Sequence, residues 1–141
     1  MLSLISLLHS TPDLCGVVRS ADGRIADFHR KGVVDLYTLV TSNPAFLRGG
    51  QLADRVIGRG AALLAVKGGV TEVYADTLSE HALEILQKAD VRYSYDKLVP
   101  HITNWAGDGM CLVEALTLEV SDPDVALPLI HDFLQERGII G

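Results

Sequence analysis

Leu2, Leu4, Ile5 and Leu8 recur at helical spacing, which predicts a short amphipathic helix ending near Ser10-Thr11-Pro12. Residues 13–19 then read as a strand, Asp22-Gly23 as a hairpin turn, and residues 24–30 as the returning antiparallel strand at a sheet edge. Val33, Leu36, Tyr37 and Val40 line one face of a second helix over residues 32–42, which Asn43-Pro44 closes. A loop over residues 45–50 leads into residues 51–69, QLADRVIGRGAALLAVKGG, a segment with both a deeply apolar half and a chemically marked one. Its second half is apolar on every face, and a helix of that kind belongs inside. The expectation is one buried helix over the whole stretch, with Lys67 in its last turn and Gly68 just past its end.

Beyond it, residues 70–76 alternate as a strand, and Thr77-Leu78-Ser79-Glu80 fits a capping box with Thr77 as the cap. The helix this opens carries Ala82, Leu83, Ile85 and Leu86 inward and stops near Asp90. Residues 91–102 read as one or two short strands broken by Pro100, and residues 104–109 as a loop holding Trp105. Residues 110–118 form a short helix, and Asp122-Pro123 opens a last one, capped by Ser121 or Asp122 and ended by Gly138. Strands alternating with helices predict an α/β fold, a three-layer α-β-α sandwich with a mixed sheet and residues 51–69 packed centrally. At 141 residues the chain is expected to form a single domain over 1–141.

Charge and cysteine content narrow the partners. The net charge of −6 argues against nucleic acid or an anionic membrane as a partner. Cys15 and Cys111 have neither metal-type nor redox-type spacing, so a reduced, cytoplasmic protein is expected. The apolar start lacks the basic region and cleavage site of a signal peptide, and no stretch has transmembrane length.

Four separated motifs, Gly32-Val33-Val34-Asp35-Leu36-Tyr37, Asp54-Arg55-Val56-Ile57-Gly58-Arg59-Gly60-Ala61-Ala62, Glu72-Val73-Tyr74-Ala75-Asp76 and Gly107-Asp108-Gly109-Met110-Cys111, occur in this order. Together they resemble the bacterial domain-of-unknown-function family eighteen-ninety-three, over nearly the whole chain. The resemblance implies a cytidine-deaminase-like fold and no settled activity. In that family a proline commonly follows the late cysteine, where this chain has Leu112. In a deaminase, the helix matching residues 51–69 begins with His or Cys and, two residues on, a catalytic Glu; the next begins with P-C-x-x-C. Those residues hold the zinc that activates water. Here Gly58-Arg59-Gly60 and Leu78-Ser79-Glu80-His81-Ala82 stand in their place, so zinc deamination is not expected, nor any metal or cofactor.

On a continuous helix Asp54 and Gly58, and Arg55 and Arg59, lie one turn apart and border one stripe. That arrangement suits a phosphate or carboxylate held by Arg55, Arg59 and backbone N–H groups near Gly58 and Gly60, where a helix starts afresh. The plainer reading is close packing at the small residues, with both arginines reaching outward. Cys111 follows a Gly-Asp-Gly loop at a helix start, with Glu114 one turn on, a setting that activates a thiol; Asp108 opposes this, and simple burial is the plainer reading. Thr77, Ser79 and Glu80, just past a strand, can face a ligand or merely cap a helix. Asn104 and Trp105 can meet a ring or merely make a turn. His9, His29, His101 and His131 show no ligand spacing, and Cys15 and Tyr37 read as packing residues. Three functional readings follow: a binder of a small anionic or nucleotide-like ligand without zinc, an enzyme with Cys111 as nucleophile, and a structural or interaction module acting as a homodimer.

Overall fold

The computed structural model describes residues 1–104 and 106–140, so Trp105 lies outside the described residues. Five strands, β1 (Gly16–Arg19), β2 (Ile25–Phe28), β3 (Gln51–Ile57), β4 (Glu72–Ser79) and β5 (Arg92–Val99), form one sheet in the order β2-β1-β3-β4-β5. The tight turn at Asp22-Gly23, where Gly23 takes φ +90°, makes β1 and β2 antiparallel. β1 also runs antiparallel to β3, while β3, β4 and β5 are parallel. Parallel neighbours need crossovers, and two helices, α4 (Arg59–Gly68) and α5 (Glu80–Lys88), supply them. The remaining helices are α1 (Leu2–Ser10), α2 (Val34–Ser42), α3 (Pro44–Leu47), α6 (Leu112–Leu116) and α7 (Pro123–Glu136). Among the described residues no helix is long and apolar enough to cross a membrane.

Alternation along the strands builds two cores. Val17, Ala53 and Tyr74 are cross-strand neighbours and pack with Leu4 and Leu8 of α1. Val18, Leu52 and Val73, one residue along, enter the larger core with α2, α4, α5 and α7. Helices therefore cover both faces. α4 is the hub of the larger core: it buries Ala62, Leu63, Leu64 and Ala65 and contacts α2, α3, α5, α6 and α7. In α7 the Asp122 carboxylate accepts a hydrogen bond from the Asp124 N–H (2.9 Å), Pro123 occupies the first turn, and Ala126, Ile130 and Leu134 face inward.

The largest correction concerns residues 51–69. Residues 51–57 are not the start of a helix but the central strand, paired on both edges. Only Leu52, Ala53 and Ile57 of this strand are buried, and Asp54 and Arg55 stand between them, so it shows neither strict alternation nor a continuous apolar run, and the apolar pattern of residues 61–66 dominates the stretch. Gly58 is extended (φ −98°, ψ −176°) and begins the helix. At its other end Gly69, not Gly68, takes the left-handed conformation (φ +82°). Gly68 is glycine for packing, since a Cβ there would stand 2.6 Å from Leu47 Cδ1.

Two smaller corrections have local causes. β4 continues to Ser79, which displaces the cap from Thr77: the Ser79 hydroxyl accepts a hydrogen bond from the Ala82 N–H (3.0 Å), and Glu80 falls in the first turn rather than at the reciprocal position. The one-turn helix α3 starts at Pro44 and takes up the first part of the expected loop of residues 45–50.

Candidate functional site

Asp54 sits on β3 directly opposite Gly16 of β1. A Cβ at Gly16 would lie 2.6 Å from Asp54 Oδ2 and 3.2 Å from Phe28 Cδ2, so the missing side chain is what makes room for the carboxyl. Asp54 Oδ1 accepts the Val56 N–H at 3.1 Å. Asp54 is half-buried and lines a cleft of about 770 Å³. Burial pushes the Asp54 pKa up to about 7, and the Asp76 carboxylate adds to the effect. The Val56 and Arg55 N–H groups and the Arg55 guanidinium offset part of it. A carboxyl balanced between its two protonation states at neutral pH can both give and take a proton.

The start of α2, the N-terminus of α4, the segment 102–104, residues 111–114 and the end of α7 wall this cleft, whose lining is largely apolar. Gly60 lets α4 pack closely against residue 113, because a Cβ there would meet Val113 Cγ1 at 2.5 Å. Cys15 and Cys111 both reach the lining, and both are free and half-buried. Burial raises the Cys15 thiol, with the Asp54 carboxylate acting in the same direction, so Cys15 stays protonated. Cys111 immediately precedes α6, and its N–H donates to the Ile102 carbonyl at 2.7 Å.

Glu114 is the buried charge of the site, 1% exposed. Its Oε1 accepts the Arg59 N–H (2.7 Å) and the Ser79 hydroxyl (2.6 Å), and its Oε2 accepts the Ile102 N–H. α4 begins at a glycine and has no side-chain cap of its own. The Glu114 carboxylate takes that role from across the fold, and through Ser79 it also sits at the start of α5, so two helix N-termini converge on one negative charge. Gly58 permits the approach: a Cβ there would stand 3.1 Å from Glu114 Oε1. Where the helix starts afresh at Gly58, the chain's own Glu114 carboxylate takes the position expected for a ligand anion.

Arg55 and Arg59 do not share a stripe, because one lies on β3 and the other on α4. Arg55 Nε donates to the Leu14 carbonyl (2.7 Å) and Nη2 to those of Leu8 (2.8 Å) and Thr11 (3.2 Å), pinning α1 to the sheet. Arg59, 3% exposed, donates to the carbonyls of Val120 (2.8 Å) and His81 (3.0 Å) and to the Ser121 hydroxyl (3.1 Å), with Glu84 at 3.6 Å. Both guanidiniums brace the fold. Of the residues singled out from sequence, Asp54, Arg55, Gly58, Gly60, Asn104 and Cys111 line the one cleft, whereas Arg59, Ser79 and Glu80 do not. Asn104 serves its own turn, its Oδ1 accepting the Gly107 N–H at 2.9 Å. Sequence reasoning passed over Gly16 and the anchoring role of Glu114. The available signal for the latter was a lone carboxylate inside the apolar run LVEALTL.

A zinc ion does not fit these residues. Among the described residues no three His, Cys, Asp or Glu side chains gather in a metal-holding group. At the N-terminus of α4 the Glu114 carboxylate already has donors on both oxygens.

The sequence pattern of the TM1506 family, a domain of unknown function (DUF1893), matches residues 4–134. The crystal structure of a DUF1893 family protein (TM1506) from Thermotoga maritima superposes with a TM-score of 0.81 at 23% sequence identity, covering 93% of this chain and 87% of that one, a likeness of fold. No functionally curated protein matches the chain.

Proposed function

The chain belongs to the DUF1893 family, and we propose that its cleft binds a small ring-bearing molecule of nucleobase or nucleoside type, without zinc, with Asp54 as the group that holds or moves its proton. The observation that carries this reading is the Asp54 carboxyl, poised at about 7 on the wall of a largely apolar cleft. A cleft of about 770 Å³ falls within the size range of small-molecule sites, and a few polar groups on apolar walls suit a flat heterocycle. Asp54 can accept from a ring N–H when ionised and donate to a ring nitrogen when protonated. The phosphate of a nucleotide is not assigned to the N-terminus of α4, which Glu114 occupies. The strand order β2-β1-β3-β4-β5, with helices on both faces, supports a three-layer α-β-α sandwich of the cytidine-deaminase type. Two free thiols support a reducing, cytoplasmic setting.

A thermal-shift series with nucleobases and nucleosides tests the proposal. A ligand at about 100 times its Kd adds about 2.7 kcal/mol, which for a chain of this size raises Tm by roughly 5–10 °C. Asp54→Asn should remove most of that shift while the protein still folds. A flat response to every ring compound at millimolar concentration would count against the cleft as their site.

One observation favours a second reading, an enzyme with Cys111 as nucleophile: the thiol opens onto the same cleft as Asp54. It requires Cys111 to react with iodoacetamide near pH 7 at least about tenfold faster than an ordinary exposed thiol. Cys15→Ser isolates that rate, and a rate at or below the ordinary one removes the reading.

A further inference from the structure

A smaller cavity of about 390 Å³ opens at the carboxyl ends of β3, β4 and β5 and shares Val56, Ile102 and Thr103 with the cleft. The carboxyl ends of parallel strands are where ligand groups collect in α/β sheets. The charged or chargeable side chains of its lining are Lys97 and His101, with no carboxylate, and Thr77 and Thr103 add hydroxyls. Neither Lys97 nor His101 has a side-chain hydrogen bond or ion pair among the described residues. By contrast Arg24, Arg30, Lys67, Lys88 and Arg92 each hold a carboxylate. In a chain of net charge −6 partners are plentiful, so two chargeable groups left together in one cavity mark a place for an anion from outside.

We infer that this cavity is an anion subsite which takes a phosphate monoester carried by the molecule whose ring fills the cleft. The inference rests on the ring-binding reading of the cleft. The shared wall at Val56, Ile102 and Thr103 is the neck past which ring and phosphate are joined. Lys97 supplies the fixed positive charge, while the His101 ring and the two threonines supply further donors. The ligand class is thereby narrowed to nucleoside monophosphates or compounds of the same plan.

Calorimetric titration of the four common ribonucleosides, their 5′-monophosphates and inorganic phosphate distinguishes the two claims. One monophosphate should bind about tenfold or more tightly than its own nucleoside, an advantage that about 0.5 M NaCl reduces. Lys97→Gln, a change on the exposed edge strand, should abolish that advantage and leave nucleoside affinity unaltered; His101→Gln should reduce it. Equal affinity for nucleoside and monophosphate, or an advantage that survives Lys97→Gln, overturns the subsite and leaves the ring site standing. Binding of inorganic phosphate alone, lost in Lys97→Gln, overturns the link between the two cavities. No binding by any of these probes overturns both claims.

Discussion

Glu114→Ala is expected to lose about 3–5 kcal/mol of stability and to melt more than about 10 °C below the parent protein. The substitution strips the acceptor from three donors at once: the Arg59 N–H, the Ile102 N–H and the Ser79 hydroxyl. Nothing nearby replaces it, since α4 starts at Gly58 with no cap of its own. Each orphaned buried donor costs about 1–3 kcal/mol, and water entering from the cleft recovers part of the total. Glu114→Gln separates charge from acceptor. Its amide oxygen can still serve Arg59 and Ser79, but its NH₂ then faces the Ile102 N–H, so an intermediate loss is expected. Calorimetry of the three proteins gives the ranking. A Glu114→Ala protein within about 1 kcal/mol of the parent would remove the carboxylate from its role as a shared cap.

Asp54→Asn is expected to stabilise the protein at alkaline pH, and the sign follows from the direction of the shift. The folded-state pKa of about 7 lies above the roughly 3.9 of an unfolded chain. Between those values the folded protein keeps a proton that the unfolded chain has released, so stability is fullest below pH 4 and falls as pH rises through 7. At about 1.4 kcal/mol per unit, the full loss by pH 8 is on the order of 4 kcal/mol. Asparagine cannot ionise, and it retains an oxygen for the Val56 N–H. Parent and variant should therefore melt together near pH 4 and diverge above it, with the variant higher by roughly 8–16 °C at pH 8. Taking the difference between the two proteins cancels the other titrating groups. Parallel melting curves across the whole range would mean that Asp54 ionises normally.

Much of the fold was legible because local chemistry and tertiary context agree. The first helix, the Asp22-Gly23 hairpin, the helix carrying Leu36, Tyr37 and Val40, and the Asp122-Pro123 start of the last helix all stand where their patterns placed them. Residues 51–57 were not legible in this way, because Asp54 and Arg55 interrupt the run and leave neither the alternation nor the continuous apolar stretch that identifies a strand. That single misreading propagated. It placed Arg55 and Arg59 on one stripe, whereas the strand sends one to the α1 segment and the helix sends the other to the connections around α5 and α7. Gly58 and Gly60 nevertheless line a cleft, because they lie at the junction of β3 and α4, and Asp54 joins them from the middle of β3 through the room left by Gly16. The partner of that junction, Glu114, is 55 residues away from Arg59 in the chain, and no local pattern announces such a contact.

The measurement that bears most directly on the cleft is the titration of the Asp54 carboxyl carbon by ¹³C NMR, its signal identified by its absence in Asp54→Asn. The proposal expects a midpoint near 7, as burial dictates, moving when a bound nucleoside engages the carboxyl. A midpoint near 4 that nucleosides leave unchanged would contradict it.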